Sequence, residues 1–178
     1  MQYLLRQNQA YRGALADSIK KLGADTAQCS QCFHWFVKSH TKDLCAMCSN
    51  SHRDATLLFV VEKDADIENV ERSGFTGLYF VLGGTIPLAS EEPHKHIRLH
   101  ELLRRISPSD AWREREKIKE VILGLSATAE GDHTRLILQE KLKDAGIKIS
   151  SLGRGLSTGS ELEYADPDTI AQALGNRH

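Results

Sequence analysis

All four cysteines of the chain lie in one twenty-residue stretch, CSQCFHWFVKSHTKDLCAMC, running from residue 29 to residue 48. No other feature restricts the fold as much. Four thiols this close in sequence serve either two disulfides in an exported protein or one metal ion held by four thiolates. The opening residues MQYLLRQNQAYRG show no basic start followed by a long apolar run. No window elsewhere approaches the roughly 20 apolar residues of a membrane helix. A cytoplasmic location is therefore expected, and in a reducing compartment disulfides do not persist. The spacing C-x2-C, twelve residues, C-x2-C is then that of a structural zinc site, with Cys29, Cys32, Cys45 and Cys48 as ligands. Two residues between cysteines let a tight turn present both sulfurs to one tetrahedral ion, and two such turns complete its shell. The bland alternative is four free thiols in a small apolar cluster, but two matched pairs rarely arise by accident.

At 178 residues, with 40% hydrophobic and 6% aromatic side chains, the chain suits one good-sized globular domain or two small ones. Its charge is uneven. Residues 1–54 carry seven Lys or Arg against four Asp, a balance of plus three. Four thiolates around one zinc ion contribute about minus two, leaving about plus one. The remaining residues hold 16 basic and 20 acidic side chains, a balance of minus four. No large basic face follows, so affinity for nucleic acid must come from local patches or from several subunits acting together.

The apolar residues Leu4, Leu5, Ala14, Leu15, Ile19 and Leu22 suit a helix ending near Gly23. After Cys48 the pattern changes: the short apolar runs TLLFVVE and LYFVLGG read as buried strands, and EVILGLS and IKISSL as a third and a fourth strand. DADIENVERSG and EGDHTRLILQEKLKDAG read as helices that stop at glycine, SEEPHKHIRLHELLRRI as a loop entering a short helix, and SDAWREREKIK as a polar helical stretch. This alternation predicts an α/β fold, a mainly parallel sheet with helices on its faces. GRGLSTGSELEYADP is a loop, and DPDTIAQAL begins a last helix with Asp166 as N-cap and Pro167 in its first turn. The expected divisions are 1–28, an N-terminal helical segment; 29–53, the zinc module; 54–152, the sheet domain; and 153–178, a C-terminal loop and helix.

In open α/β sheets, functional groups gather beyond the carboxyl ends of the strands. Glu62 directly follows LLFVV, and Glu130 and Asp132 follow EVILGLS across a short turn. These three acids could converge to hold a magnesium ion through carboxylate oxygens, weakly at most. Equally, Glu130 and Asp132 could simply favour a helix N-terminus, where the macrodipole stabilises carboxylates by roughly 0.3–1 kcal/mol.

An acid after one strand and an acid-Gly-acid turn after a later one resemble the Toprim domain of primases, topoisomerases and related nucleases. The order of modules is more specific: four cysteines, then CSNSHRDATLLFVVEKDADIENVERSGFTGLYFVLGGTIPL, then EVILGLSATAEGDHT, then RGLSTGSELEYADPDTIAQAL. This order resembles the bacterial RecR family of recombination mediators from about Cys29 to the C-terminus. The resemblance implies a Toprim-like sheet preceded by a helix and a small zinc module. It implies a DNA-repair protein without catalysis, a homo-oligomeric ring or clamp on single- and double-stranded DNA. Such a protein acts with RecO and RecF to help load RecA on single strands. The C-terminal segment is the implied assembly region. The implied Toprim acids are Glu62, Glu130 and Asp132, with Asp132 where the family usually has Glu. RecR-like chains normally open with a helix-hairpin-helix, and MQYLLRQNQ looks like its last helix with the preceding part absent. One ring interface is then expected to be weakened, leaving dimers or a loose tetramer of low, salt-sensitive DNA affinity. Arg12, Lys20 and Lys21 are the candidate DNA contacts, lined up around a shared channel.

Two other function classes compete. A Toprim-class nuclease or primase-like enzyme would need magnesium at the three acids and a nucleophile or activated water, yet Tyr79 lies inside an apolar strand. A zinc-stapled interaction module without DNA binding is the other. His94, His96 and His100 in HKHIRLH fit no ligand pattern and read as surface histidines, and REREKIKE as a solvated helix face.

Overall fold

The computed structural model describes residues 2–38, 43–90, 92–106, 117–156, 159 and 161–175. The polar helical stretch expected over 109–119 falls almost wholly outside them.

Four segments build one parallel sheet: β3 (Asp54–Val61), β4 (Gly77–Val81), β5 (Glu120–Gly124) and β6 (Lys148–Ser151), in the order β4-β3-β5-β6. These are the four strands read from the sequence. Strand side chains alternate between faces, so β3 divides its apolar residues between two cores. Leu58 and Val60 pack on one side with Phe80, Val121 and Leu123. Phe59 and Val61 pack on the other with Tyr79 and Val81. Helix α4 (Asp64–Arg72) covers the second side through Ile67, while α5 (Leu99–Ile106) and α6 (Ala129–Leu142) cover the first through Leu102, Ile106, Leu138 and Leu142. Burying each such side chain contributes roughly 1.5–3 kcal/mol. Helices on both faces force strands that are apolar throughout, which is why β4 is buried at all five positions.

The sheet reverses direction between β3 and β5. From β3 the chain steps outward to β4, then returns past β3 to β5 and β6. The carboxyl ends of β3 and β5 therefore lie at the reversal point, the place where doubly wound sheets bind ligands.

Ahead of the sheet, the expected single helix is two: α1 (Gln2–Arg6) and α2 (Gln9–Asp25). Asn8 separates them because its side chain accepts the Tyr11 N–H at 2.8 Å, the cap of a new helix. α2 runs past Gly23, where a side chain would meet open space, so the glycine is tolerated there rather than a stop. Neither helix buries a residue. Two three-residue strands that periodicity does not resolve, β1 (Thr26–Gln28) and β2 (Trp35–Val37), pair antiparallel, and α3 (Ala46–Ser49) completes the cysteine module. The last helix, α7 (Pro167–Gly175), starts as expected, with Asp166 accepting the Thr169 N–H at 2.9 Å.

Candidate metal centre and acidic end of the sheet

The two C-x2-C turns bring all four sulfurs within 4.8 Å of one another, and each cysteine is at most 2% exposed. Cys32 and Cys45 stand 3.5 Å apart, too far for a disulfide and close to the roughly 3.8 Å edge of a tetrahedron with zinc–sulfur bonds of about 2.3 Å. The Cys29 thiol is held far below its ordinary value by the Cys32 sulfur and then by Cys45 and Cys48. Cys32, facing Cys29 foremost and then the same two neighbours, is pushed far up. Sulfurs this close cannot all ionise without a cation among them, so the donor set fits a single metal ion. Four protein ligands fill a tetrahedral shell, which makes such an ion a staple with no open position for chemistry.

The knuckle is fastened to the edge of the sheet at β4. Val81 N–H donates to the Cys32 carbonyl at 2.8 Å, continuing the sheet's hydrogen bonding into the first cysteine turn. Phe33, in that turn, takes φ +62, an uncommon conformation for a side chain of its size. The turn is fixed from both sides: Phe33 N–H donates to the Cys29 carbonyl at 3.0 Å, and the Phe33 ring meets Phe80 edge-on at 5.4 Å. Arg98 lies over the same ring at 5.3 Å. Asp64, at the start of α4, accepts from the Trp35 N–H at 2.8 Å and pairs with His34 Nδ1 at 2.9 Å. None of these anchors carries a motif; only Asp64, an acid in a helix's first turn, gives a local signal.

The acids lie beyond the carboxyl ends of β3 and β5, each engaged in its own way. Glu62 is 8% exposed, and its Oε1 accepts the Ser126 N–H from the loop after β5 at 2.6 Å. Glu130 is exposed and accepts from the Thr85 hydroxyl at 3.5 Å. Asp132 is held by two arginines, Arg154 in a two-pronged pair and Arg135 at 2.8 Å. Arg154 beside it, with burial opposing, keeps the Asp132 carboxyl below its usual range. Among the described residues, only the four cysteines place three or more ligand atoms within 4.8 Å of one another. The three carboxylates thus share one end of the sheet without being drawn into one cluster. The glycine between the two acids has a steric reason: a Cβ on Gly131 would stand 2.1 Å from the Ser126 carbonyl oxygen.

Arg12, Lys20 and Lys21 all lie exposed on α2. At 3.6 residues per turn, Lys20 is rotated about 80° from Arg12 and Lys21 about 180°, so one helix does not present the three on one face. Lys20 also stands 3.7 Å from Asp17. Tyr79 is fully buried in β4, with Arg53 over its ring at 5.3 Å, and burial pushes its hydroxyl up, away from nucleophilic use.

A four-stranded parallel sheet with acids at its reversal point and a four-cysteine knuckle on its edge, able to hold a metal ion, defines a protein of the Toprim class. The Toprim domain family matches residues 56–153, and the RecR C-terminal family matches residues 155–178. The recombination protein RecR of Legionella pneumophila (strain Philadelphia 1) is 41% identical over 180 residues, spanning 99% of this chain and 84% of the relative. That of Bacteroides thetaiotaomicron is 38% identical over 176 residues, 98% and 80% of the two chains, and that of Amoebophilus asiaticus 34% over 176, 98% and 82%. The chain belongs to the RecR family.

Proposed function

We propose that the chain is a recombination mediator that works by binding DNA and protein rather than by catalysis. Support comes from likeness to proteins named for recombination over nearly its whole length. The observation that carries the non-catalytic reading is the engagement of Asp132 by Arg135 of its own helix and by Arg154, the latter committing one of the three acids to holding the C-terminal segment. Magnesium at Glu62, Glu130 and Asp132 is then weak, because an ion has to displace a guanidinium. Zinc is the ion of the knuckle, chosen by four soft thiolates.

The divisions of the chain follow this use: helices over 1–28, the zinc knuckle over 29–53, the Toprim domain over 54–152 and an assembly segment over 153–178. Tyr3, Leu5, Ile19 and Leu22 at one end, and Leu152, Leu162, Tyr164 and Leu174 at the other, are each more than half exposed. Two separate apolar surfaces support a homo-oligomer with two kinds of contact. Assembly would also bring several copies of Arg12, Lys20 and Lys21 onto one strand, which a single helix does not do. RecO and RecF are the proposed partners, and the cytoplasm is the compartment where they and DNA meet.

The test is RecA assembly on single-stranded DNA coated with single-strand binding protein. The chain together with RecO is expected to accelerate assembly beyond RecO alone, and an unchanged rate would contradict the reading.

A further inference from the structure

We propose that the run from Cys32 to Trp35 is a strap that couples the cysteine knuckle to Glu62. A metal ion in the knuckle fixes the acidic end of the sheet, and an intact acidic end raises the knuckle's affinity for the ion. This rests on the reading of the knuckle as a zinc site.

Every residue of the strap reaches the end of the sheet. The Cys32 carbonyl accepts the Val81 N–H at 2.8 Å. The Phe33 ring meets Phe80 edge-on at 5.4 Å and lies beneath Arg98 at 5.3 Å. His34 Nδ1 pairs with Asp64 Oδ1 at 2.9 Å, and the Trp35 N–H donates to the same oxygen at 2.8 Å. Glu62 lies between these two attachments. On the β4 side its carbonyl accepts the Gly83 N–H at 2.9 Å, and the Val61 carbonyl accepts the Leu82 N–H at 2.8 Å. Arg98 ties that segment to the strap, donating its backbone N–H to the Leu82 carbonyl at 2.9 Å and Nη1 to the Val81 carbonyl at 3.0 Å. On the other side Asp64 follows Glu62 across Lys63 alone. The Glu62 side chain carries the position to the next strand, since its Oε1 accepts the Ser126 N–H at 2.6 Å in the loop after β5. At 8% exposed, Glu62 has little water to replace that donor, so a shift of its backbone forfeits the bond.

The ion's part is to close the turn from which the strap leaves. The Cys29 N–H donates to the His34 carbonyl at 2.9 Å, the Phe33 N–H to the Cys29 carbonyl at 3.0 Å, and Gln28 Nε2 to the Phe33 carbonyl at 2.9 Å. Strap and first ligand therefore share one loop. Phe33 stands at φ +62 in that loop, a left-handed conformation that costs a bulky side chain free energy and persists only where the surroundings over-determine it. An ion bridging Cys29 and Cys32 is such a constraint. Without it the four sulfurs lose what gathers them, and Phe33 relaxes to negative φ, drawing the strap off both attachments. A turn with two conformations is an element that both ends bias, and linkage makes the bias reciprocal. Glu62 thus influences zinc while supplying no ligand to it.

The experiment measures zinc affinity of the full chain by competition with a chromogenic chelator, and amide exchange of the zinc-loaded chain by NMR. Glu62→Ala is expected to lower zinc affinity roughly tenfold. Asp64→Ala, saturated with zinc, should exchange the Ser126 amide roughly tenfold faster, although Ser126 lies beyond Glu62 from the altered residue. Asp64→Asn, which keeps an acceptor for the Trp35 N–H, should restore most of that protection. Leu142→Ala, a cavity in the core under α6, controls for lost stability and should leave zinc affinity unchanged. An accelerated Trp35 amide beside an unchanged Ser126 amide in Asp64→Ala would overturn the strap while leaving the zinc site standing. Equal zinc affinity in Glu62→Ala and the unaltered chain, or an equal loss in Leu142→Ala, would also overturn it. No zinc held by the unaltered chain would overturn both readings.

Discussion

Arg154 and Asp132 meet in a two-pronged ion pair, Nη1 on Oδ2 at 3.0 Å and Nη2 on Oδ1, which ties the chain after β6 to the first turn of α6. Arg154→Ala should loosen the C-terminal segment at its root. The pair is partly exposed, so a loss of about 1 kcal/mol, or roughly 2–4 °C in Tm at this chain length, is expected. Asp132 is depressed in the folded state, so its contribution is complete above the unfolded carboxyl value of about 3.9 and is lost as pH falls through the folded value. Melts of the two proteins should differ near neutrality and converge below about pH 4. A constant gap would assign the effect to packing instead.

Removing the metal should unfold more than the knuckle. Elemental analysis is expected to give one zinc per chain. A strong chelator, Cys29→Ser or Cys48→Ser should each remove at least about 3 kcal/mol, roughly 6–12 °C in Tm. Because the Val81 N–H is given to the Cys32 carbonyl, its amide hydrogen exchange should accelerate on chelation while core β3 amides change less. Protection of Val81 that survives chelation would separate the knuckle from the sheet.

Two glycine-to-alanine changes should have opposite signs. At Gly131 the added methyl group runs into the Ser126 carbonyl oxygen, backbone that cannot swing aside, so Gly131→Ala should cost about 1–3 kcal/mol or prevent folding. At Gly13, on exposed α2, a methyl group meets nothing, and Gly13→Ala should stabilise by up to about 1 kcal/mol. Denaturant unfolding of both variants measures the difference.

These contrasts show what was legible in the residues. β3, β4 and β5 could be read because helices on both faces demand continuous apolar runs, and the four-cysteine cluster because its residues sit at fixed short spacing. The β1–β2 ribbon could not, since three residues carry no period, and Asn8 divided a helix whose apolar pattern ran straight across it. Glu62, Glu130 and Asp132 follow β3 and β5 in the chain, and that place puts them at one end of the sheet. What engages them was hidden: Arg154 lies 22 residues beyond Asp132, and Ser126 acts through its backbone N–H, which no side-chain pattern reveals.

Light scattering should find a homo-oligomer whose mass rises with concentration, in keeping with apolar residues exposed at both ends of the chain. With about plus one on residues 1–54 once zinc is bound, each subunit neutralises few phosphates. Its DNA affinity should be low, fall steeply with salt, and recover when a RecO-like partner is added. A strict monomer, or tight binding indifferent to salt, would contradict this.

The central claim, binding without catalysis, is tested most directly by incubating the zinc-loaded chain with labelled single- and double-stranded DNA and magnesium, then resolving the products. Intact strands held in a salt-sensitive complex, with Glu62→Ala and the unaltered chain alike in leaving DNA uncut, are the predicted result; magnesium-dependent cleavage abolished by Glu62→Ala would contradict it.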